Sequence, residues 1–386
     1  MGAAIVSLSP HAAPAEVPAL DEALRCCVSR LSQPIEFAGQ EPYREVLENL
    51  LDPLGKAALA KGDWRNALLK LGAKEATSAR ILELFGDRRM EKYCVWFLAA
   101  LSGMPFVIQE LQRHGDQDSV VDACFCAIID ILDDDIECEW LLSEHVNSFS
   151  RGDTPGLLDI VARAMNAHVE DNVIQARGCH SLVLLLRLVQ HVGEVHQECL
   201  QNILHVVVQG YNSHYQHQAV VRDVCFCFRA LLEPRTRSQS PEEAQKEFQA
   251  QQMMAAQLRQ AEMPQQLEKS LDYFGRYEDV SRMPELFECA CASIALLSGA
   301  GRLLSLLGNM GDHSGRDTFR AAGLKALFEL CSTRSDIVTN EAQGAPGCAA
   351  VQTALRNLVG SSQDSQLRSS AVLLDGLCEA LSRQSR

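Results

Sequence analysis

The chain has 386 residues, a formal net charge of −15 at neutral pH and 47 % hydrophobic residues, with few aromatic residues. This composition is ordinary for a soluble protein, and it excludes collagen-like chains, acidic disordered tails and membrane bundles. No run reaches the roughly 18 uninterrupted apolar residues that a bilayer span needs. The length accommodates two or three compact domains or one elongated repeat array.

The negative charge is concentrated in one part of the chain. Residues 51–100 carry a net charge of +3, whereas residues 101–150 contain one arginine and eleven acidic residues. Such a stretch is repelled by nucleic-acid backbones. We therefore expect no nucleic-acid or membrane partner, and we expect a protein partner that has a basic peptide or a basic face.

The 15 cysteines are odd in number, and no secretory signal precedes them. Several lie inside apolar runs such as 120–132, where cysteine behaves as a small buried hydrophobic residue. Reduced thiols indicate a cytoplasmic or nuclear protein.

Taken in chain order, the sequence predicts helices almost throughout. Residues 1–18 contain three prolines and are predicted to be flexible. From residue 19 onward the apolar residues follow a helical period, as in Val120, Cys124, Ile128 and Ile131. No stretch shows the alternation typical of strands. We expect roughly 15 to 20 helices joined by short turns.

Three cysteine-containing segments indicate an internal repeat. Residues 120–126, 173–179 and 221–227 align with intervals of 53 and 48 residues, and a weaker copy at 287–291 follows 64 residues later. A unit of two or three helices cannot bury its apolar face alone. Neighbouring units are therefore predicted to stack over 19–233 and again over 267–386.

One of these units resembles the armadillo-type repeat, as in the armadillo region of the leucine-rich-repeat kinases. The resemblance lies in Ala164-Met165, His168, Asn172 and the run from Ile174 to Leu182. It implies a right-handed α-solenoid of armadillo or HEAT type, with the small residues Gly178 and Cys179 where helices cross. In the cysteine alignment, Phe125 and Phe226 take the place of Gly178.

Residues 234–266 interrupt the repeats. Their first part is a polar linker, and their second part is a Gln- and Met-rich helix predicted over 241–262, beginning at Pro241. Phe248, Met254 and Leu258 give this helix a thin apolar stripe. Two interpretations stay open: a helix packed on the repeat array, or a mobile lid that binds a partner.

Other residue clusters suggest chemistry only weakly. The Cys-x-Cys pairs 124/126, 225/227 and 289/291 would point about 200° apart on a helix, so we expect packing and no bound metal or cofactor. His214 and His217 are predicted to serve a turn or cap. Arg88, Arg89 and Lys92, with Trp96 and Phe97 beside them, could mark an RNA surface, but core burial of the two aromatic rings is favoured.

The most distinctive polar feature is an acidic run. We predict that its residues bind the partner: Asp133, Asp134, Asp135, Glu137 and Glu139. A solvated turn that favours the next helix N-terminus is the simpler alternative. A calcium loop is disfavoured because no glycine lies within the run.

These features favour a non-catalytic protein that binds another protein along the solenoid groove, as a scaffold, adaptor or regulatory subunit. An armadillo-type co-chaperone that promotes nucleotide exchange is one alternative. A helical-repeat enzyme with a Cys/His site is a second, less favoured alternative, and we expect no enzymatic activity.

Overall fold

Throughout the residues that it describes, the chain is helical apart from turns, so the prediction of an all-α fold is confirmed for this part. The computed structural model describes residues 22, 24–29, 50–52, 54–56, 58, 62–83, 88–133, 156–192, 197–232, 241–277, 283–309, 316–333, 348–360 and 364–384. The predicted flexible segment 1–18 and the linker 234–240 lie outside these residues. None of the described helices is both long and apolar enough to cross a bilayer.

The chain divides into two compact units, Met1–Val195 and His196–Arg386. The boundary falls inside the predicted repeat segment 19–233. The first unit contains α1 (Gly62–Lys70), α2 (Ala73–Glu83), α3 (Arg88–Ser102), α4 (Met104–His114), α5 (Asp118–Asp133), α6 (Leu157–Ala167) and α7 (Asn172–Val192).

The second unit is built in the same way from helices of similar length. It contains α8 (Gln197–His214), α9 (Gln218–Leu232), α10 (Pro241–Gln260), α11 (Met263–Tyr277), α12 (Pro284–Ser298), α13 (Ala300–Asn309), α14 (Arg316–Thr333), α15 (Cys348–Val359) and α16 (Ser365–Gln384).

Within each unit, helices alternate between two layers. In the first unit α3, α5 and α7 pack successively against one another, and we call them second helices; α4 and α6 lie between them in sequence and are called first helices. In the second unit the second helices are α9, α12, α14 and α16, and the first helices are α8, α11, α13 and α15. The second helices contribute many core residues, and ten of the fifteen residues of α12 are buried.

Three first helices lead into their second helices through the same turn. The carbonyl oxygens of His114, His168 and His214 each accept a hydrogen bond from the backbone N–H three residues later, at 2.8 to 3.1 Å. The residue that ends each turn then accepts the first hydrogen bond of the second helix, from the backbone N–H of Val121, Gln175 or Val221. Successive turns are therefore 54 and 46 residues apart in the sequence. The predicted intervals of 53 and 48 residues are therefore wrong by one residue and by two residues, respectively.

Buried serines confirm the corrected register. The hydroxyl of Ser181 on α7 donates to the carbonyl oxygen of Phe125 on α5, at 3.4 Å. Ser293 on α12 donates to the carbonyl oxygen of Cys225 on α9, at 3.3 Å. Phe125 and Cys225 therefore hold equivalent positions. The alignment of Phe125 with Gly178 is wrong, since Cys124 stands at the position of Gly178.

The predicted Gln- and Met-rich helix is confirmed as α10, which begins at Pro241. It contacts α8, α9, α11 and α12 of its own unit. Its buried stripe includes Met254 and Leu258, but Phe248 is 40 % exposed and Gln251 is buried instead. These contacts favour the packed interpretation of this helix over the mobile lid.

Candidate functional site: a charged row on the second helices

Three paired charges form a row on the second helices of the first unit. We define the charged row as Lys92 of α3, Asp122 of α5 and Arg177 of α7. Lys92 Nζ lies 2.6 Å from Asp122 Oδ2, and Arg177 Nη1 contacts Asp122 Oδ1. The carboxylate is 17 % exposed, and both cations are about twice as exposed. One carboxylate therefore connects three successive second helices.

The row extends along α5 at one-turn intervals. Asp122, Cys126 and Asp130 are spaced by four residues and share one face of the helix. Trp96 Nε1 donates to Asp130 Oδ2 at 2.6 Å, while its ring is buried. The burial of Trp96 confirms the predicted core position of its ring. A polar stripe of α5 thus extends from Asp122 to Asp130.

Cys126 is a half-exposed thiol at the centre of this stripe. Burial raises the pKa of Cys126, and the nearby charges of Lys92 and Arg177 oppose that effect only in part. The thiol is therefore protonated at neutral pH, and a thiol in this state is a poor nucleophile.

The second unit has a comparable arrangement between α12 and α14. Asp122 is the fifth residue of α5, and Glu288 is the fifth residue of α12. Lys325 of α14 donates to both oxygens of Glu288, at 2.9 and 2.8 Å. Arg222 takes the same position in α9 and pairs with Asp223, at 2.8 Å. Charged, partly exposed side chains thus recur at this position on α5, α9 and α12.

The residues of the armadillo-like motif have structural roles. The amide of Gln175 donates to the carbonyl oxygens of Met165 and His168, at 2.8 and 3.0 Å, and so satisfies the end of α6. A ring nitrogen of His168 lies 3.0 Å from the carbonyl oxygen of Gly115, which follows α4 in the preceding repeat. Gly178 lies where α7 crosses α5 and α6, as the resemblance implied.

The Cys-x-Cys pairs are packed in the core, in agreement with the sequence analysis. Five of the six thiols are buried, and only Cys126 is half-exposed. Desolvation raises the pKa of Cys124 strongly and that of Cys289 to about 11. Within the described residues, no three His, Cys, Asp or Glu side chains are grouped as a metal site requires. The thiols act as small apolar groups here.

His214 is the last residue of α8, and His217 immediately precedes α9. The backbone N–H of His217 donates to the carbonyl oxygen of His214, and its own carbonyl accepts from Val221. The predicted turn role of these two histidines is confirmed for their backbone groups.

The predicted acidic run lies almost wholly outside the described residues. Only the backbone of Asp133 is described, as the last residue of α5, and the side chains of the run are not. The sequence analysis did not single out Asp122 and Arg177, although both stand in the aligned segments. Their partners lie 30 and 55 residues away, so local spacing gives no signal for the pairing.

A cleft of about 460 Å³ lies in the second unit. Its lining includes Gly301, Ser305 and Gly308 of α13, Arg320 of α14 and Ala354 of α15. Arg320 Nε donates to the carbonyl oxygen of Leu307 at 2.8 Å, and the same guanidinium pairs with Asp317. This cation thus satisfies the end of α13 and is engaged within the fold.

Comparison with known proteins gives little guidance on function. No family model matches the chain, and no curated protein matches it. Among solved structures, one similar chain is that of an engineered protein determined by crystallography. It is 14 % identical, the match covers 98 % of each chain, and its TM-score is 0.32.

Proposed function

We propose that the chain is a non-catalytic helical-repeat protein of armadillo or HEAT type that binds another protein through its second helices. The carrying observation is the charged row, in which Asp122 connects Lys92 and Arg177 across three stacked helices. Such a surface is rigid, because each charge is held by a partner on the neighbouring helix. Repeat proteins commonly use a surface of this kind to bind extended partners.

The acidic run supplies the selectivity of this surface. It begins at the end of α5, directly after the stripe formed by Asp122, Cys126 and Asp130. The stretch 101–150 carries ten net negative charges. A basic peptide or basic face that approaches the second helices of the first unit is therefore attracted and oriented by this charge.

The structural role of the motif residues supports a binding surface over a reaction centre. Gln175, His168 and Gly178 are all engaged in holding helices together. The half-exposed thiol of Cys126 has a raised pKa. Thus the motif residues serve helix packing and hydrogen bonding.

Affinity capture from native lysate tests the proposal. The bait with Asp133, Asp134 and Asp135 changed to lysine is compared with the wild-type bait. A matched control reverses three exposed acids elsewhere, Glu170, Glu198 and Glu242. We expect the acidic-run variant to recover at least about tenfold less of the partner at low salt, which corresponds to about 1.4 kcal/mol. The control is expected to recover the wild-type amount.

Salt dependence gives the second readout. Wild-type binding is expected to weaken steeply with ionic strength, and binding by the acidic-run variant to weaken less. Equal recovery by all three baits with one common salt dependence would refute the role of the acidic run. Capture of a chaperone ATPase whose nucleotide release the chain accelerates would favour the co-chaperone alternative instead.

A further inference from the structure

The last two helices bring two thiols into contact. Cys348 is the first residue of α15, and Cys378 lies in the C-terminal half of α16. The two sulfurs form a hydrogen bond. Helices α15 and α16 pack against each other, with Leu355 and Leu374 buried in the second unit.

The register of this helical hairpin explains the contact. Only five residues separate Val359 from Ser365, so the two helices run in opposite directions. Cys348 stands twelve residues before Gly360, and Cys378 stands fourteen residues after Asp364. At a rise of about 1.5 Å per residue, both thiols lie at a similar distance from the turn. The contact therefore follows from the hairpin itself.

The two thiols differ in access to solvent. Cys348 is half-exposed, whereas Cys378 is 1 % exposed. Among the described cysteines only Cys26, Cys126 and Cys348 are exposed or half-exposed. Cys126 lies beside Lys92 and Arg177, while Cys348 lies against a second thiol on a neighbouring helix. An accessible sulfur with a buried thiol beside it is the arrangement of a reacting cysteine and a resolving cysteine.

We propose that Cys348 and Cys378 form a reversible disulfide that joins α15 to α16 when a peroxide is present. The peroxide oxidises the thiolate of Cys348 to a sulfenic acid. The thiol of Cys378 then attacks the sulfenic sulfur and forms the S–S bond, and its proton leaves with the sulfenic hydroxyl group as water. In total, two thiols and one hydrogen peroxide give one disulfide and two waters. A dithiol reductant reverses the step by thiol–disulfide exchange.

Formation of the disulfide requires the two sulfurs to approach each other. A disulfide brings the sulfurs to about 2.05 Å, closer than a hydrogen bond between thiols. Cys348 is the first residue of its helix, so its backbone N–H has no partner within α15. We therefore expect the movement to be confined to the first turn of α15.

Mass spectrometry of trypsin-digested protein tests the proposal cleanly. Cleavage places Cys348 alone in the peptide 335–356 and Cys378 alone in the peptide 369–383. After treatment with hydrogen peroxide and alkylation under denaturing conditions, we expect these two peptides to be cross-linked with the loss of about 2 Da, which is two hydrogen atoms. Dithiothreitol is expected to separate them.

Variants assign the cross-link to these sulfurs. Cys348→Ser and Cys378→Ala are each expected to abolish it, and Cys126→Ser is expected to retain it. Circular dichroism verifies that each variant is folded. If Cys378→Ala unfolds the protein because that position is buried, Cys348→Ser still tests the proposal, since Cys348 is half-exposed. The proposal is overturned if oxidised wild-type protein carries sulfinic acid at Cys348 while Cys378 is still alkylated. It is also overturned if Cys378 is cross-linked to a different cysteine.

Discussion

Gly178 provides a direct test of how the repeats stack. A Cβ at this position would lie 2.5 Å from Met165 Cγ, 2.7 Å from its sulfur and 2.9 Å from Phe125 Cε2. Met165 belongs to α6 and Phe125 to α5, and both side chains are fully buried. The single methyl group of Gly178→Ala would therefore press on two neighbouring helices at once.

Two opposing terms determine the effect of this substitution. Alanine favours the helical backbone over glycine by about 1 kcal/mol. Overpacking of a filled core costs about 1–3 kcal/mol, and here the flexible Met165 can yield more readily than the aromatic ring. We expect Gly178→Ala to lower the free energy of unfolding by about 1 kcal/mol in total.

Gly376 of α16 supplies the matched control. A Cβ there would meet nothing within 4 Å, so Gly376→Ala should gain the helical term alone, about 0.5–1 kcal/mol. Urea denaturation followed by circular dichroism measures both variants against the wild type. If Gly178→Ala stabilises the protein as much as Gly376→Ala does, then α7 does not cross α5 and α6 as closely as described.

Three further predictions concern the hydrogen bonds, the charged row and the thiols. Gln175→Ala removes both hydrogen bonds to the end of α6, and we expect urea denaturation to show a loss of about 1–3 kcal/mol; an unchanged midpoint would contradict this. Asp122→Asn should lower the free energy of unfolding by about 1–2 kcal/mol. This loss should fall by at least half in 1 M salt, because the two cations that pair with Asp122 are partly exposed. A loss that does not depend on salt would refute an ionic origin. Burial raises the pKa of Cys289 to about 11 and that of Cys378 to about 12 from 9.0, so the unfolded chain loses these protons first. The free energy of unfolding is therefore unaffected by these thiols below pH 9, and above pH 9 it falls by about 1.4 kcal/mol per pH unit for each thiol. Calorimetry between pH 7 and 11 should show the melting temperature fall only in the upper part of this range.

Helical periodicity was sufficient to predict the elements. The apolar spacing of Val120, Cys124, Ile128 and Ile131 predicts the buried face of α5, and all four side chains are buried. Such a pattern is local, because one face of a helix is fixed by 3.6 residues per turn. The start of α10 at Pro241 is predicted for the same kind of reason, since proline suits the first turn of a helix.

The register of the repeats required the structure. Matching cysteines by residue type placed Cys124 opposite Cys225, whereas the turns place Phe125 there. A buried position of this kind accepts either a phenyl ring or a small thiol if the neighbouring helices adjust. Residue identity is thus a weaker guide than the backbone hydrogen bonds of the turn.

Tertiary packing also limits what a sequence pattern can predict. Phe248 shares a face with the buried residues of α10, yet it is 40 % exposed. The spacing reveals which residues share a face, but the neighbouring helices decide how much of that face is covered. The charged row has the same origin, because Asp122 meets partners on two other helices that are distant in sequence.

Hydrogen exchange of the first unit, measured with and without the captured partner, tests the central claim most directly. The account predicts that partner binding slows exchange in the second helices α3, α5 and α7, and in the acidic run that follows α5. Slower exchange confined to the first helices α4 and α6 would show that the partner binds the opposite layer, and would contradict the proposed binding surface.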